Sequence, residues 1–127
     1  MSLRSPVGRV LGLGTAKDGV EHWWTQRISA VALAVLGPWC LISLLVMGHF
    51  DYDAVANWMS RPYNAVLLVI FVPTLLYHSK LGVQVVIEDY VAGALKVTSL
   101  LLSTFAHVIV GALGIFAVLK VAFGVGA

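Results

Sequence analysis

The stretch HSKLGVQVVIEDY, residues 78–90, closes an apolar segment that begins near Tyr63. On a helix, residues spaced i, i+4, i+7 and i+11 lie along one stripe. Here the stripe combines a metal-capable imidazole, a glycine notch and a carboxylate in apolar surroundings. Such a combination predicts a bound ligand beside this helix. The residues of the stripe are His78, Gly82, Val85 and Asp89.

The composition is typical of an integral membrane protein. Of the 127 residues, 60% are hydrophobic and only 11% are charged, whereas a soluble domain carries about 25% charged residues. The net charge of +2 comes without a basic patch interleaved with aromatic residues, so no nucleic-acid partner is expected. The single cysteine, Cys40, cannot form an internal disulfide and is expected to pack as a small apolar residue.

Three apolar segments are long enough to cross a membrane, and they predict helices at about 25–48, 63–90 and 96–123. About 20 helical residues span a hydrocarbon layer of about 30 Å, and backbone polar groups in lipid must be bonded within the helix. The sequence therefore predicts an all-α membrane protein with three transmembrane helices. Residues 1–127 form a single membrane-anchor domain, with residues 1–24 as a cytoplasmic arm.

The distribution of positive charge predicts the orientation. Four basic residues lie before or at the entry to the first predicted helix, whereas the loop from Gly48 to Pro62 has two aspartates and one arginine. The positive-inside rule then places the N-terminus in the cytoplasm and the C-terminus in the periplasm. No cleavable signal peptide is expected, because the first 22 residues carry charges without a continuous apolar core. The four basic residues are Arg4, Arg9, Lys17 and Arg27.

His78 is expected deep in the second helix, about ten residues and so about 15 Å from its cytoplasmic end. A neutral imidazole has a donor and an acceptor to satisfy, and leaving one unpaired costs about 1–3 kcal/mol. Two interpretations stay open: a hydrogen bond to a neighbouring helix, or axial ligation of a haem iron. His107, in the third helix, could supply a second ligand or be a packing residue. His22 and His49 lack ligand spacing to a partner.

Asp89 and Tyr90 end the second helix and allow two interpretations. They could be a helix terminus in the headgroup region, or they could bind a quinone, whose carbonyl needs a donor and whose reduction consumes protons. Arg27 could anchor the first helix, or stabilise a negative charge on a haem propionate or quinone. The polar and aromatic cluster at residues 21–29 is predicted on the same side of the membrane as Tyr90, so the two could form one pocket.

Two motifs carry a resemblance to a known family. The first is GTAKDG at residues 14–19, leading to HWW at 22–24 and RIS at 27–29. The second is His78 with a glycine four residues later, followed by Asp-Tyr at 89–90. With these motifs the chain resembles the small, D-type hydrophobic membrane anchor subunit of succinate dehydrogenase (succinate:quinone oxidoreductase, complex II). The resemblance spans essentially the whole chain and is strongest to the alphaproteobacterial branch.

The resemblance implies roles that the spacing does not show. In that family the histidine matching His78 is one axial ligand of haem b, and the other ligand comes from a C-type, cytochrome b556-like anchor subunit. The residues matching Tyr90 and Asp89 belong to the ubiquinone site, and the one matching Arg27 lies in the same region. FAD and iron–sulfur clusters reside only in the flavoprotein and iron–sulfur subunits. This chain alone would therefore hold no complete catalytic site.

The expected location is a bacterial inner (plasma) membrane, ahead of the mitochondrial inner membrane, with the chain multi-pass and in contact with lipid and quinone. Two other functions are weighed beside it. The first is a purely structural assembly subunit with no haem or quinone role. The second is a transporter or channel subunit, which intramembrane ionisable groups can mark. Here those groups gather at one end and line no pore.

Overall fold

A computed structural model describes the backbone of residues 16–124 and the side chains of residues 19–124. Within it the chain forms four helices: α1 at Ala16–Met47, α2 at Tyr52–Ser60, α3 at Pro62–Tyr90 and α4 at Gly93–Ala122. Three of them, α1, α3 and α4, are long and apolar enough to cross a membrane. The predicted all-α fold with three helices able to span a membrane is thereby confirmed for the described residues.

The structure differs from the sequence prediction mainly at the start of α1 and in the segment between the first two spans. Helix α1 begins at Ala16, well before the predicted start near residue 25, because hydropathy marks where a helix meets lipid and not where it begins. The stretch predicted as a loop between the first two spans contains α2. Its start is fixed by Asp51, whose carboxylate accepts a hydrogen bond from the Ala54 backbone N–H at 3.3 Å. An amphipathic helix of nine residues is too short to be predicted from hydropathy when it lies between two long apolar segments.

Helix α3 packs against both α1 and α4. Its approach to α4 depends on two glycines that leave no room for a side chain. A Cβ on Gly114 would lie 2.9 Å from Cγ1 of Val72, and a Cβ on Gly111 would lie 3.3 Å from Cδ1 of Leu76. Small residues at such positions let membrane helices meet closely, and dispersion contacts then hold them together.

The buried core lies at the α2 end of the bundle. Trp39 of α1 stacks on Trp58 of α2, with ring centroids 5.9 Å apart. Asn64 is fully buried and donates through Nδ2 to the Trp58 carbonyl at 2.8 Å, which fastens the end of α2 to α3. Most other large apolar side chains are exposed, as expected where lipid or a partner subunit surrounds the helices. The buried apolar residues of this core are Ala65, Leu68 and Val118.

The turn between α3 and α4 is short and fixed by side chains. Lys96 Nζ donates to the Glu88 carbonyl at 3.0 Å, which satisfies one of the last carbonyls of α3. Gln84 Nε2 donates to Glu88 Oε1 at 2.8 Å. Gly93, with φ of 65°, begins α4 in a conformation that suits glycine. These contacts define the position of Tyr90 at the end of α3.

Candidate functional site

His78 of α3 faces α1, and both of its ring nitrogens have partners there. Nδ1 lies 3.0 Å from Oγ of Ser29, and Nε2 lies 3.4 Å from Nε2 of Gln26. The two partners are three positions apart on α1 and therefore share one face of that helix. The imidazole is thus held in the interface between the first two spans.

The hydrogen bonds of Ser29 indicate which nitrogen of His78 carries the proton. The Ser29 hydroxyl lies 2.8 Å from the Thr25 carbonyl and 2.9 Å from the Gln26 carbonyl, within its own helix. A serine in a helix donates its single proton to such a carbonyl. Its oxygen then accepts from His78 Nδ1–H, and Nε2 keeps its lone pair. The N–H of Gln26 faces that lone pair at 3.4 Å, beyond the usual 2.7–3.2 Å, so it holds Nε2 only weakly.

A groove of about 550 Å³ lies between α1 and α3, and both His78 and Gln26 line it. Three of the four residues on the predicted stripe line it, whereas the fourth, Asp89, does not. Two buried polar atoms in the groove have no hydrogen-bond partner within the described residues, His22 Nε2 and Gln26 Oε1. Buried polar atoms usually have a partner, so this groove suits a ligand with polar groups. Its lining comprises Gly19, His22, Trp23, Gln26, Arg27, Ala30, His78, Gly82 and Val85.

Arg27 lies at the edge of the same groove and remains exposed. Its guanidinium carbon is 4.2 Å from the centroid of the Trp23 ring, a cation–π contact that orients the side chain. Trp23 in turn meets Trp24 edge to face at 5.1 Å. The groove therefore has a fixed positive charge at one margin, where a carboxylate could pair with it.

His107 belongs to the other interface of α3. Its Nδ1 lies 2.7 Å from the Ser103 carbonyl, which can only accept, so Nδ1 is the donor. Its Nε2 then accepts from the Ser79 hydroxyl at 3.3 Å. With both nitrogens engaged between α3 and α4, His107 has the bonding of a packing residue. The structure does not bring it together with His78, which faces α1.

Tyr90 and Asp89 are exposed at the end of α3, with Tyr90 86% accessible. Neither lines the groove beside His78. The pocket that the sequence suggested between residues 21–29 and this helix end is therefore placed differently, since residues of α1 meet the deeper part of α3. Tyr90 is instead exposed on the surface of this chain.

The sequence did not single out Gln26 and Ser29 as partners of His78, or His22 as part of the groove. A signal was present, because His22, Gln26 and Ser29 follow the helical spacing i, i+4, i+7. The predicted helix begins near residue 25, so it contains Gln26 and Ser29 but leaves His22 in the arm, and the spacing is cut short. Once α1 extends back to Ala16, these side chains fall on the face turned towards α3.

Comparison with known proteins decides the family. Residues 1–119 match the family model described as succinate dehydrogenase/fumarate reductase transmembrane subunit. The chain belongs to this family. The resemblance inferred from the two sequence motifs is thereby confirmed.

Several relatives of this transmembrane-subunit family are called succinate dehydrogenase hydrophobic membrane anchor subunit. The protein of Rickettsia bellii is 39% identical over 89 residues, which cover 70% of this chain and 71% of the relative. The protein of Rickettsia conorii is 39% identical over 90 residues, with the same shares. The protein of Paracoccus denitrificans is 28% identical over 113 residues, covering 89% of this chain and 88% of the relative. No solved structure matches the chain.

Membership makes the chain a membrane anchor subunit of succinate dehydrogenase, an oxidoreductase of several subunits. The three long apolar helices are the anchor, and they place the chain in a membrane. The chain therefore acts together with other subunits of the complex. The exposed apolar side chains of α1, α3 and α4 are available for contact with lipid and with those subunits.

Proposed function

We propose that this anchor subunit binds haem b jointly with a partner anchor subunit and contributes to the site where ubiquinone is reduced. One observation carries the proposal: His78 lines a groove together with Gln26, the weak partner of its Nε2, while Ser29 holds the opposite nitrogen. Metal-bound histidines usually donate their second ring N–H to such a partner, which fixes the tautomer. Ser29 is thus the positioning residue for His78.

The groove fits a haem. Among residues 19–124, no group of three or more His, Cys, Asp and Glu side chains could hold a bare metal ion. A single imidazole suits a metal that brings most of its ligands with it, as haem iron does. Gly82 leaves the α3 side open, since a Cβ there would meet only Gln26 Nε2, at 3.9 Å. Haem bound there would store and pass single electrons.

The polar residues of the groove would bind the edge of the macrocycle. Arg27 would pair with a propionate, because its guanidinium is exposed and oriented by Trp23. His22 Nε2 offers a further hydrogen-bonding atom that has no other partner in the described chain. Gln26 would move away from His78 Nε2 on binding. Because the 3.4 Å contact is long, little stabilisation would be lost.

The quinone site is proposed at the end of α3. The Tyr90 hydroxyl is exposed and can donate a hydrogen bond to a quinone carbonyl, and Asp89 beside it can relay a proton. Reduction of the quinone to quinol takes two electrons and two protons. The electrons would come from succinate through the flavin and iron–sulfur clusters of the other subunits. Lys96 and Glu88 support the geometry by fixing the turn after Tyr90.

The proposed partners are a flavoprotein, an iron–sulfur subunit and a C-type, cytochrome b556-like anchor subunit. We place the complex in a bacterial inner membrane, with the N-terminus of this chain in the cytoplasm. The bacterial relatives named as succinate dehydrogenase anchor subunits support this location. The positive charges before α1 support the orientation.

Replacing Tyr90 with phenylalanine is expected to slow quinone reduction about tenfold, because one hydrogen bond to the substrate is removed from the site. Succinate oxidation with an artificial dye, which bypasses the membrane site, should stay unchanged. Steady-state assays of the purified complex with each acceptor measure both rates.

The matched control for this variant is Tyr52→Phe. Tyr52 is 80% exposed, similar to the 86% of Tyr90, but it begins α2 at the other end of the bundle. It should leave both rates unchanged. Equal rates of quinone reduction in the Tyr90→Phe and Tyr52→Phe variants would show that Tyr90 is not part of the quinone site.

Replacing Ser29 with alanine is expected to lower the haem content of the complex, since loss of a hydrogen bond to a metal-binding histidine costs about tenfold to a hundredfold in metal affinity. The control is Thr74→Ala, because the Thr74 hydroxyl donates only to the Ile70 carbonyl of its own helix, at 2.7 Å. Haem per complex and its midpoint potential are the measurements. A potential and a haem content that stay at wild-type values in Ser29→Ala would contradict the positioning role.

The rival proposal is a purely structural anchor. It is favoured by the fact that α1 alone supplies a partner to each nitrogen of His78. In that case His78 would be an interhelical hydrogen-bonding residue like His107. Substitution of the two histidines distinguishes the proposals and is argued in the Discussion.

A further inference from the structure

A second groove, of about 510 Å³, lies at the other end of the bundle from His78. It is formed by the last turns of α1, by α2 and by the start of α3. This is the end where α2, a short amphipathic helix, joins two membrane-spanning helices. Short amphipathic helices of this kind lie at the level of lipid headgroups.

The residues that line this groove carry charge of one sign only. Its lining residues include one cation, Arg61, and no acidic residue. Two carboxylates lie nearby at the start of α2 but do not line the groove: Asp51 accepts a hydrogen bond from the Ala54 backbone N–H, and Asp53 lies in the first turn of the helix. Arg61 itself precedes α3, but its side chain makes no capping hydrogen bond there. The guanidinium is thus available to an anionic ligand, for which its planar set of donors is suited.

The remaining lining has the polarity of a lipid site. Ile42 and Val46 lie one turn apart on α1, are 58% and 79% exposed, and form an apolar part of the groove lining. Asn57 adds an amide near the Arg61 end. Trp58 and Tyr63 are aromatic residues of the kind that gather at the membrane–water interface. A cation at the headgroup level therefore sits above an apolar track.

We propose that this groove binds one anionic phospholipid of the adjacent leaflet, with its phosphate against Arg61 and an acyl chain along Ile42 and Val46. A free phosphate would use the cation but not the apolar track. A zwitterionic lipid would bring a second positive charge to a groove that holds no carboxylate. The site is independent of His78 and of the haem proposal, because the two grooves share no residue.

The test uses the whole complex, purified in mild detergent and depleted of lipid. Phosphatidylglycerol or phosphatidylcholine is titrated in, and bound lipid is counted by native mass spectrometry. We expect one phosphatidylglycerol to bind in preference to phosphatidylcholine. Arg61→Gln should weaken phosphatidylglycerol binding about tenfold, because a charge-assisted contact to phosphate is lost. Arg61→Lys keeps the charge but loses the planar set of donors, so it should bind phosphatidylglycerol less tightly than wild type and more tightly than Arg61→Gln.

The matched control is Lys120→Gln. Lys120 lies in the last turn of α4, at the same end of the bundle as Arg61, and does not line the groove. The Lys120→Gln variant also loses one positive charge at this end of the bundle, and its complex should bind phosphatidylglycerol as wild type does. Equal weakening by Arg61→Gln and Lys120→Gln would mean a diffuse charge effect and would overturn the proposal. Equal binding of the two lipids would overturn it as well, as would full retention of phosphatidylglycerol by Arg61→Gln.

Discussion

A complex that carries His78→Ala is expected to lose most of its b-type haem absorbance. Removal even of a hydrogen bond to a metal-binding histidine costs about tenfold to a hundredfold in metal affinity, and this substitution removes the ligand itself. The variant should still assemble, because the groove beside His78 is lined largely by other residues of α1 and α3. The reduced-minus-oxidised spectrum of the purified complex, with haem counted per flavin, measures the loss.

His107→Ala is the matched control for that experiment. It removes the same side chain from the neighbouring helix interface, where both nitrogens already have partners. We expect it to lower stability by about 1–3 kcal/mol through the lost hydrogen bonds and to leave the haem spectrum intact. If His78→Ala keeps full haem, or if both variants lose haem alike, His78 is not the ligand. The purely structural anchor then becomes the better account.

The second large effect is expected at the contact between α3 and α4. Gly114→Ala would place a methyl group 2.9 Å from Cγ1 of Val72, closer than packed carbon atoms approach. Overpacking of this kind costs about 1–3 kcal/mol. We expect a lower thermal midpoint of the complex, measured by the loss of intact assembly on heating. A leucine at position 114 should lower the yield of complex further.

Two comparisons isolate the cause of that loss. Gly37→Ala changes a glycine inside α1 whose added Cβ would meet no atom within 4 Å, so it should leave the midpoint unchanged or raise it slightly. Adding Val72→Ala to Gly114→Ala should recover part of the stability, since the clashing methyl is removed. A midpoint that falls equally for Gly37→Ala, or a double variant without recovery, would refute the packing explanation.

The parts of the fold that the sequence predicted are those governed by hydropathy. A run of apolar residues long enough to cross lipid has to be a helix, because its backbone has no other partner there. The stripe that begins at His78 was predictable for a similar reason, since helical spacing alone places Gly82 and Val85 beside it. Hydropathy and helical spacing therefore predict the three long helices and the side of the groove that belongs to α3.

The other half of the groove depends on which faces of two distant helices meet. Sequence spacing within α3 cannot show that Ser29 and Gln26 lie opposite His78, because the rotation of α1 is set by packing along the whole interface. The start of α1 at Ala16 escaped prediction because polar residues continue a helix beyond the lipid without any hydropathy signal. Hydropathy does not predict helix α2, because a helix of nine residues is much shorter than a membrane span.

His78 and Ser79 are neighbours in the chain, yet they hydrogen-bond to different helices. Successive residues of an α-helix point about 100° apart, so one bond reaches α1 through Ser29 and the other reaches α4 through His107. A rotation of α3 about its own axis would displace both side chains and distort both bonds. The two hydrogen bonds therefore fix the rotation of α3 about its axis at this level of the bundle. A substitution that rotates α3 against α4 should consequently also move the His78 ring relative to Ser29.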